Sequence, residues 1–336
     1  MSGTRPCGRE PSPAAAPRHA APVHPGLLAL AARQHGPFTT AQARHHGVEL
    51  DELQRLLRAG VLVRLRRGVY AEAWRTRGDP RATHRVHVDG VLLVLGARAA
   101  VSHVSAAVVH GLDLLDPDLG HVEVTRADLG SSRTEARVRH HAAALRPDEV
   151  VEVDGRPVTS LARTAIDIAR RSTLAQALVV LDAVLHRGVD REELRRVHLA
   201  CASWSGSRTA GRALALADGG AESPGESLVR LLLARAGLPP VRTQVELRDH
   251  DGLVGRVDLL FEQQRTVVEF DGRAKYGLEG DPADALWREK RREDRLRGLG
   301  YEVVRVVWAD LDRPDDVRRR VLGAFARSAR WPRAAS

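Results

Sequence analysis

The residues best placed to do chemistry lie between positions 253 and 271. Arg256–Phe261 and Thr266–Asp271 are two β-type runs separated by the polar Glu262-Gln263-Gln264-Arg265. A hairpin closed symmetrically about Gln263 and Gln264 puts Phe261 opposite Thr266, and therefore Asp258 opposite Glu269. One face is then Val257, Leu259, Phe261, Thr266, Val268 and Phe270, a core face. The other carries Arg256 opposite Asp271, Asp258 opposite Glu269 and Leu260 opposite Val267. Two carboxylates facing each other on a sheet repel unless a cation lies between them. Arg256 can neutralise Asp271 but not both acidic pairs. A divalent metal held by Asp258 and Glu269 resolves the conflict, and hard oxygen ligands suit Mg2+ or Mn2+. The alternative is a solvent-facing hairpin screened by water and nearby arginines, and a one-residue slip in register removes the juxtaposition altogether.

The elements that must hold this hairpin follow in order. Ser223-Pro224-Gly225-Glu226 is a capping box with proline at the first helical position, opening a helix over Glu226–Ala236. A strand Val241–Leu247 turns at Asp251-Gly252 into the acidic strands. A helix Asp284–Arg297 comes next, then Tyr301–Trp308, a Val-rich strand expected at the centre of the sheet. The only lysines, Lys275 and Lys290, flank this segment. An ammonium beside a metal can orient water or neutralise a phosphorane. Lys290 with Glu293 and Asp294 equally reads as ordinary helical ion pairs, while Arg291, Arg292 and Arg295 point to a DNA backbone or to solvent.

Upstream, residues 26–80 read as three short helices and a basic hairpin. Leu27–Gln34 is a helix stopped by Gly36-Pro37. Thr39 or Thr40 caps a second helix through His45, and a third runs Glu49–Ala59 to Gly60. Val61–Tyr70 alternates apolar and basic residues as a strand pair. This is the order of a winged helix-turn-helix, although Glu49, Asp51 and Glu52 put acid where a recognition helix approaches bases. That acid also complements a helix N-terminus. Residues 83–205 form a mostly helical α+β middle module, with helices Val101–His110, Leu161–Arg170 and Leu174–His186. Its strands are His121–Thr125, Val138–His141 and Val150–Val158, the last turning at Asp154-Gly155. His103, His110, His140 and His141 lack cysteine or consistent carboxylate partners and read as core or surface histidines rather than metal ligands. The Gly/Ser/Ala-rich stretch 206–222 reads as a linker, and 223–326 as the last domain.

The chain has 336 residues, enough for two or three domains, and a net charge of +9 that favours a polyanionic partner. GC-rich coding accounts equally well for its arginine excess. Two cysteines, Cys7 and Cys201, exclude a disulfide framework or Cys-rich zinc module and fit free thiols in a cytoplasm. No apolar run is long enough to span a bilayer, and the proline-punctuated segment 1–25 reads as a disordered tail rather than a signal peptide.

Two resemblances sharpen these expectations. The stretch Ala31–Tyr70, ending LVRLRRGVY, resembles the winged-helix domain of AbiEi-type antitoxins of type IV toxin–antitoxin systems, and SHVSAAVVHGL and VTSLARTAIDIARR resemble segments that follow it. The resemblance implies DNA binding, with Arg64, Arg66 and Arg67 on the wing against phosphate, and admits a toxin or defence-system protein partner. SPGESLVRLLLARAGLP, RVDLLF, VVEFDG and WREKRREDRLRGLGYEVVRVVWADL resemble the endonuclease-like domains related to very-short-patch-repair endonucleases, a branch of the PD-(D/E)xK superfamily. That resemblance implies a restriction-endonuclease-like C-terminal domain using Mg2+ or Mn2+. Glu226, Asp258 and Glu269 match its acidic positions, Asp271 its third ligand and Lys275 a position often occupied by histidine. The general pattern wants lysine where Asp271 stands. Lys290, Arg291 and Arg292 would then lie along the DNA. The whole reads as an α/β multidomain protein, a DNA-acting, Mg-dependent endonuclease of bacterial defence or repair. The rival is a non-catalytic transcriptional regulator or antitoxin with a degenerate nuclease domain.

Overall fold

The computed structural model describes residues 23–272 and 282–331. The tail expected over 1–25 lies outside the described residues as far as residue 22, as do Cys7 and Lys275. The architecture is mixed α/β, with three sheets among the described residues. They divide into two compact units. One runs to Arg98 and takes in Glu135–Val138, and the other holds Ala99–Thr134 and the chain from Arg139 onward. No helix among the described residues is long and apolar enough to cross a membrane.

The first unit begins with α1 (Pro25–Arg33), β1 (Phe38–Thr39), α2 (Thr40–His45) and α3 (Leu50–Arg58), followed by β2 (Leu62–Arg66) and β3 (Val69–Glu72). Thr39 caps α2 as expected. Its hydroxyl accepts from the Gln42 amide, and the Gln42 side chain accepts from the Thr39 N–H. Gly68 turns the chain between β2 and β3 at φ 74°, a conformation that a side chain would strain. β1 adds to β3, giving the sheet order β1-β3-β2. Leu27, Phe38, Leu53, Leu56, Leu62 and Tyr70 close a core beneath it. The patterning conceals α4 (Pro80–Leu95), whose first half is polar. Asp79 caps it by accepting from the Arg81 and Ala82 amides at 3.0 and 3.1 Å. Gly90 lets α4 approach the wing, since a Cβ there would lie 3.0 Å from Leu65 Cδ1.

The second unit opens with β4 (Ala100–Val101), α5 (His103–His110) and β5 (Val122–Arg126), holds β6 (Arg133–Glu135) and β7 (Val138–Ala142) except for their ends at Glu135 and Val138, and continues with β8 (Val150–Val153) and β9 (Arg156–Thr159). The strands form a sheet of order β6-β7-β5-β4-β9-β8. Four helices follow: α6 (Leu161–Arg171), α7 (Leu174–His186), α8 (Arg191–Ala200) and α9 (Ser207–Leu216). Helix α9 corrects the expectation of a linker over 206–222. Its Ala210 and Ala213 are fully buried among Ile166, Leu178, Leu181 and Leu194. Beyond it the chain stays fastened, with the Asp218 amide donating to Asp182 Oδ1 at 2.7 Å and His186 Nδ1 3.0 Å from the Gly219 carbonyl.

The remainder is α10 (Pro224–Arg235), β10 (Arg242–Asp249), β11 (Gly252–Phe261), β12 (Thr266–Asp271), α11 (Pro282–Gly298), β13 (Glu302–Val307) and α12 (Pro314–Ser328). β10, β11 and β12 form an antiparallel meander, and β13 joins β12 in parallel. The register anticipated at the hairpin is present: Phe261 faces Thr266, Leu260 faces Val267 and Leu259 faces Val268.

Three expectations are corrected. Val257 packs with Leu247, Val254, Leu260, Val267 and Leu296, not with Leu259 and Phe261. The change of face falls at Asp258, where the facing Gln244 takes φ 51° and drops out of the β10–β11 ladder. Arg256 pairs across β10 with Glu246 and donates to Glu222 at 2.7 Å, so it does not neutralise Asp271. β13 is an edge strand rather than a central one, since the order is β10-β11-β12-β13. Val304 and Val306 are buried because helices cover the sheet, while Val303 is half-buried and Val307 exposed. α10 and α12 supply Val229, Leu232, Val317 and Val321 to one face, and α11 supplies Leu296 to the other.

Candidate functional site

Two groups of residues could carry function, and each is set by its local fold. On the first unit the hairpin β2–β3 presents Arg64 and Arg67 exposed at the wing, with Arg66 half-buried between them. Arg66 Nη1 is buried without a hydrogen-bond partner, and Arg64 Nε donates to the Arg66 carbonyl at 3.4 Å. Residues Asp51, Gln54, Arg55 and Arg58 are exposed on α3, so the acid is confined to its first turn, where the helix dipole favours it.

The second group is the carboxylate cluster. Glu226 stands in the first turn of α10, drawn inward because Gly225 packs flat on β12; a Cβ there would be 2.0 Å from the Phe270 ring. Its carboxylate accepts from the Ser223 hydroxyl at 2.7 Å, the Glu222 amide at 2.9 Å and the Gln244 side chain at 2.9 Å. The capping expected from the sequence is therefore made through the Ser223 hydroxyl and the Glu222 N–H. Asp258 accepts from the Phe270 amide at 2.9 Å, so its side chain takes the place of a ladder bond, and the β11–β12 pairing stops one step short of Asp258 and Glu269. Burial pushes the carboxyl groups of Glu226 and Glu269 above their ordinary range, and the negative charge of Asp258 raises both further. That shared influence places the three in one electrostatic neighbourhood. Asp271 is half-buried on the same strand as Glu269.

The cation in this neighbourhood is Arg292 of α11. Its Nη2 donates to both Glu269 oxygens at 2.7 and 2.9 Å and to Glu289 at 2.9 Å. Gly255 makes room for it, because a Cβ there would lie 3.1 Å from Arg292 Cδ. Nothing in the sequence distinguished Arg292 from its arginine neighbours, and Gln244 carried no signal either. Lys290 and Arg291 are exposed, the latter over the Trp287 ring at 5.6 Å. Glu293 is taken by Arg297 and Arg305 rather than by Lys290. Arg295 is committed to Asp249, which it holds at about 2.

The donor chemistry suits a hard divalent ion, but the arrangement does not close around one. Among the described residues, the one histidine, cysteine or carboxylate group of three whose donor atoms converge within 4.8 Å is Asp249, His250 and Asp251, on the β10–β11 turn. The oxygens of Asp258, Glu269 and Asp271 do not so converge, and Arg292 occupies Glu269. As arranged, Asp258, Glu269 and Asp271 do not form a closed set of protein ligands, and Glu269 is engaged by Arg292.

Residues 27–73 match the family model described as "Transcriptional regulator, AbiEi antitoxin". Two proteins of Mycobacterium tuberculosis, "Uncharacterized protein MT2308" of strain CDC 1551 / Oshkosh and "Uncharacterized protein Rv2248" of strain ATCC 25618 / H37Rv, are each 30% identical to the chain over 289 residues, covering 83% of this chain and 96% of the relative. The chain belongs to their family. Kinship over that span reaches far beyond the winged-helix segment, so the family shares more than its N-terminal module. The crystal structure of the RV2827C protein from Mycobacterium tuberculosis is similar at a TM-score of 0.41 and 18% identity, covering 65% of this chain and 83% of that one.

Proposed function

We propose that the protein is a DNA-binding transcriptional regulator of the antitoxin class. The observation that carries this reading is the match of residues 27–73 to the AbiEi antitoxin model, over a segment whose hairpin exposes Arg64 and Arg67. In the proposed mechanism the wing arginines neutralise phosphates and release counterions, while Gln54, Arg55 and Arg58 lie on the open face of α3. The middle module then serves as spacer or as contact for a protein partner of the toxin class. Binding of this kind needs no divalent ion.

The test is DNA binding by fluorescence anisotropy across a salt series, comparing the intact chain with an Arg64→Ala/Arg66→Ala/Arg67→Ala variant. Each phosphate contact contributes about −0.9 to the slope of log K against log salt. The variant is expected to bind at least about tenfold more weakly, with a slope shallower by about 2–3. Unchanged affinity and slope would remove the wing from the interface. EDTA is expected to leave the intact protein's binding unaltered.

A second reading, a Mg2+- or Mn2+-dependent endonuclease of PD-(D/E)xK type, draws on the mutual charge of Glu226, Asp258 and Glu269. In that reading Asp258, Glu269 and Asp271 are the metal ligands, with Lys275 and Lys290 as further candidates near the phosphate. Against it stand Arg292 on Glu269 and the missing lysine at Asp271. Supercoiled plasmid incubated with Mg2+, Mn2+ or EDTA separates the readings. The regulator predicts no nicking under any condition. Metal-dependent nicking that disappears in both Asp258→Ala and Glu269→Ala would establish the nuclease instead.

A further inference from the structure

The middle module holds a cavity that neither reading uses. It measures about 340 Å³ and lies between α6, the strands β5 and β7, and the loop after α8. Its chemistry is set by Arg163, Arg170, Arg171, Thr125, His141 and Trp204. The carboxylate of Asp167 also lines it, fully buried. Asp167 accepts from Arg163 Nε at 2.8 Å and Arg170 Nη1 at 3.4 Å, and Arg163 also donates to Glu149 at 3.2 Å. These acids fix two guanidinium groups in place without matching the positive charge of three. Arg171 is exposed and, among the described residues, makes no ion pair.

Trp204 completes the wall. The Arg163 and Arg170 guanidinium carbons lie 5.1 and 4.7 Å from its ring centroid. The loop that carries Trp204 is pressed onto α6 at Gly206, which takes φ 80°. A Cβ there would fall 1.7 Å from the Arg170 carbonyl oxygen. Behind the cavity His103 stacks on His141 at 3.7 Å between ring centroids, and His141 faces Glu123 at 3.4 Å. Burial keeps the His103 ring well below its ordinary pKa.

Besides His141 Nε2, which faces Glu123, two polar atoms in this wall lack a hydrogen-bond partner. Thr125 Oγ1, on a residue 1% exposed, and Arg170 Nε are buried without a hydrogen bond. Buried donors are rarely left unmade, because each has given up water for nothing. An occupant rich in acceptor oxygens and negative charge would satisfy both. A water's share of liquid volume is about 30 Å³, so the cavity has room for an oxyanion and a substituent.

We propose that this cavity binds a phosphoryl group, borne by a small phosphate ester or by the 5′ end of a nucleic-acid strand. Arg170 and Arg171 provide the charge, Thr125 a hydroxyl, and Trp204 holds the arginines in position. The inference is independent of the wing and of the carboxylate cluster.

The test uses the full chain, with thermal shift and calorimetry against inorganic phosphate, a nucleoside 5′-monophosphate, and chloride at matched ionic strength. Phosphate and the monophosphate are expected to raise Tm where chloride does not. Arg171→Glu, which alters an exposed side chain outside the core, is expected to weaken binding at least tenfold with the ligand-free Tm unchanged, and Thr125→Val to weaken it several-fold. Stabilisation equal to chloride, or binding indifferent to Arg171→Glu, would overturn the proposal. The two sources are distinguished with 5′-phosphorylated and 5′-hydroxyl oligonucleotides, measured in the Arg64→Ala/Arg66→Ala/Arg67→Ala background so that the wing does not contribute. Discrimination between them assigns the strand end, and equal binding with tight monophosphate binding assigns the small ester.

Discussion

An Asp182→Ala variant is expected to lose about 3–5 kcal/mol of stability, the largest single effect anticipated from this structure. Asp182 is 1% exposed on α7 and receives both contacts of Arg230 Nη2, at 2.9 and 2.7 Å, together with the Asp218 amide. Truncating the carboxylate leaves the Arg230 charge uncompensated and its Nη2, together with the Asp218 N–H, without an acceptor inside the protein, while Arg230 Nη1 keeps the Leu216 carbonyl. The loss reflects those orphaned groups rather than a net gain from the pair. Burial pushes the Asp182 carboxyl up even though Arg230 pulls it down, so the pair itself is held at a cost. An Asp182→Ala/Arg230→Met double variant is therefore expected to be more stable than the single one. Urea unfolding of the four members of this cycle checks both statements, and a double variant weaker than Asp182→Ala would contradict the account.

Arg292→Met is expected to cost about 3 kcal/mol for the corresponding reason, since Glu269 would be left buried and unpaired. Its side chain is 13% exposed, and the bonds that Arg292 makes to it are the principal compensation for its burial. Adding Glu269→Gln removes the stranded charge and is expected to restore most of the loss. If Arg292→Met unfolded at the same denaturant concentration as the intact chain, the guanidinium could not be the internal counter-ion described above.

Much of the frame could be read from the chain alone, because its signals are local. The Thr39–Gln42 cap, the β2–β3 hairpin, α6, α7 and the pairing of Phe261 with Thr266 all follow from residues within a few positions of one another. What was illegible required the third dimension. The composition of α9 resembles a linker, yet its small residues are what let it pack closely on α6 and α7. Helix α12 lies beyond the acidic strands and reveals its role only through Val317, Val321 and Ala324 against the sheet. The flip of Val257 coincides with Gln244 leaving the ladder on a neighbouring strand, a break that no pattern within β11 marks. At the carboxylate cluster the acids were visible, but the ion pair that neutralises Glu269 joins residues 23 apart, and no spacing rule selects Arg292 from the arginines around it.

The placement of β13 at the border of its sheet has a consequence for how copies of this protein behave at high concentration. An open border offers unpaired amides and carbonyls to any passing strand, and is a common starting point for aggregation. Here the Arg320 side chain donates to the Arg305 carbonyl and the Asp310 carboxylate accepts from the Val307 amide, so two of the groups a newcomer would use are already engaged. At the opposite border, β10 is bent by the irregularities at Gln244 and at Leu247/Arg248, and it carries Arg242, Glu246, Arg248 and Asp249. Both borders therefore carry features that disfavour growth of the sheet from one molecule into the next.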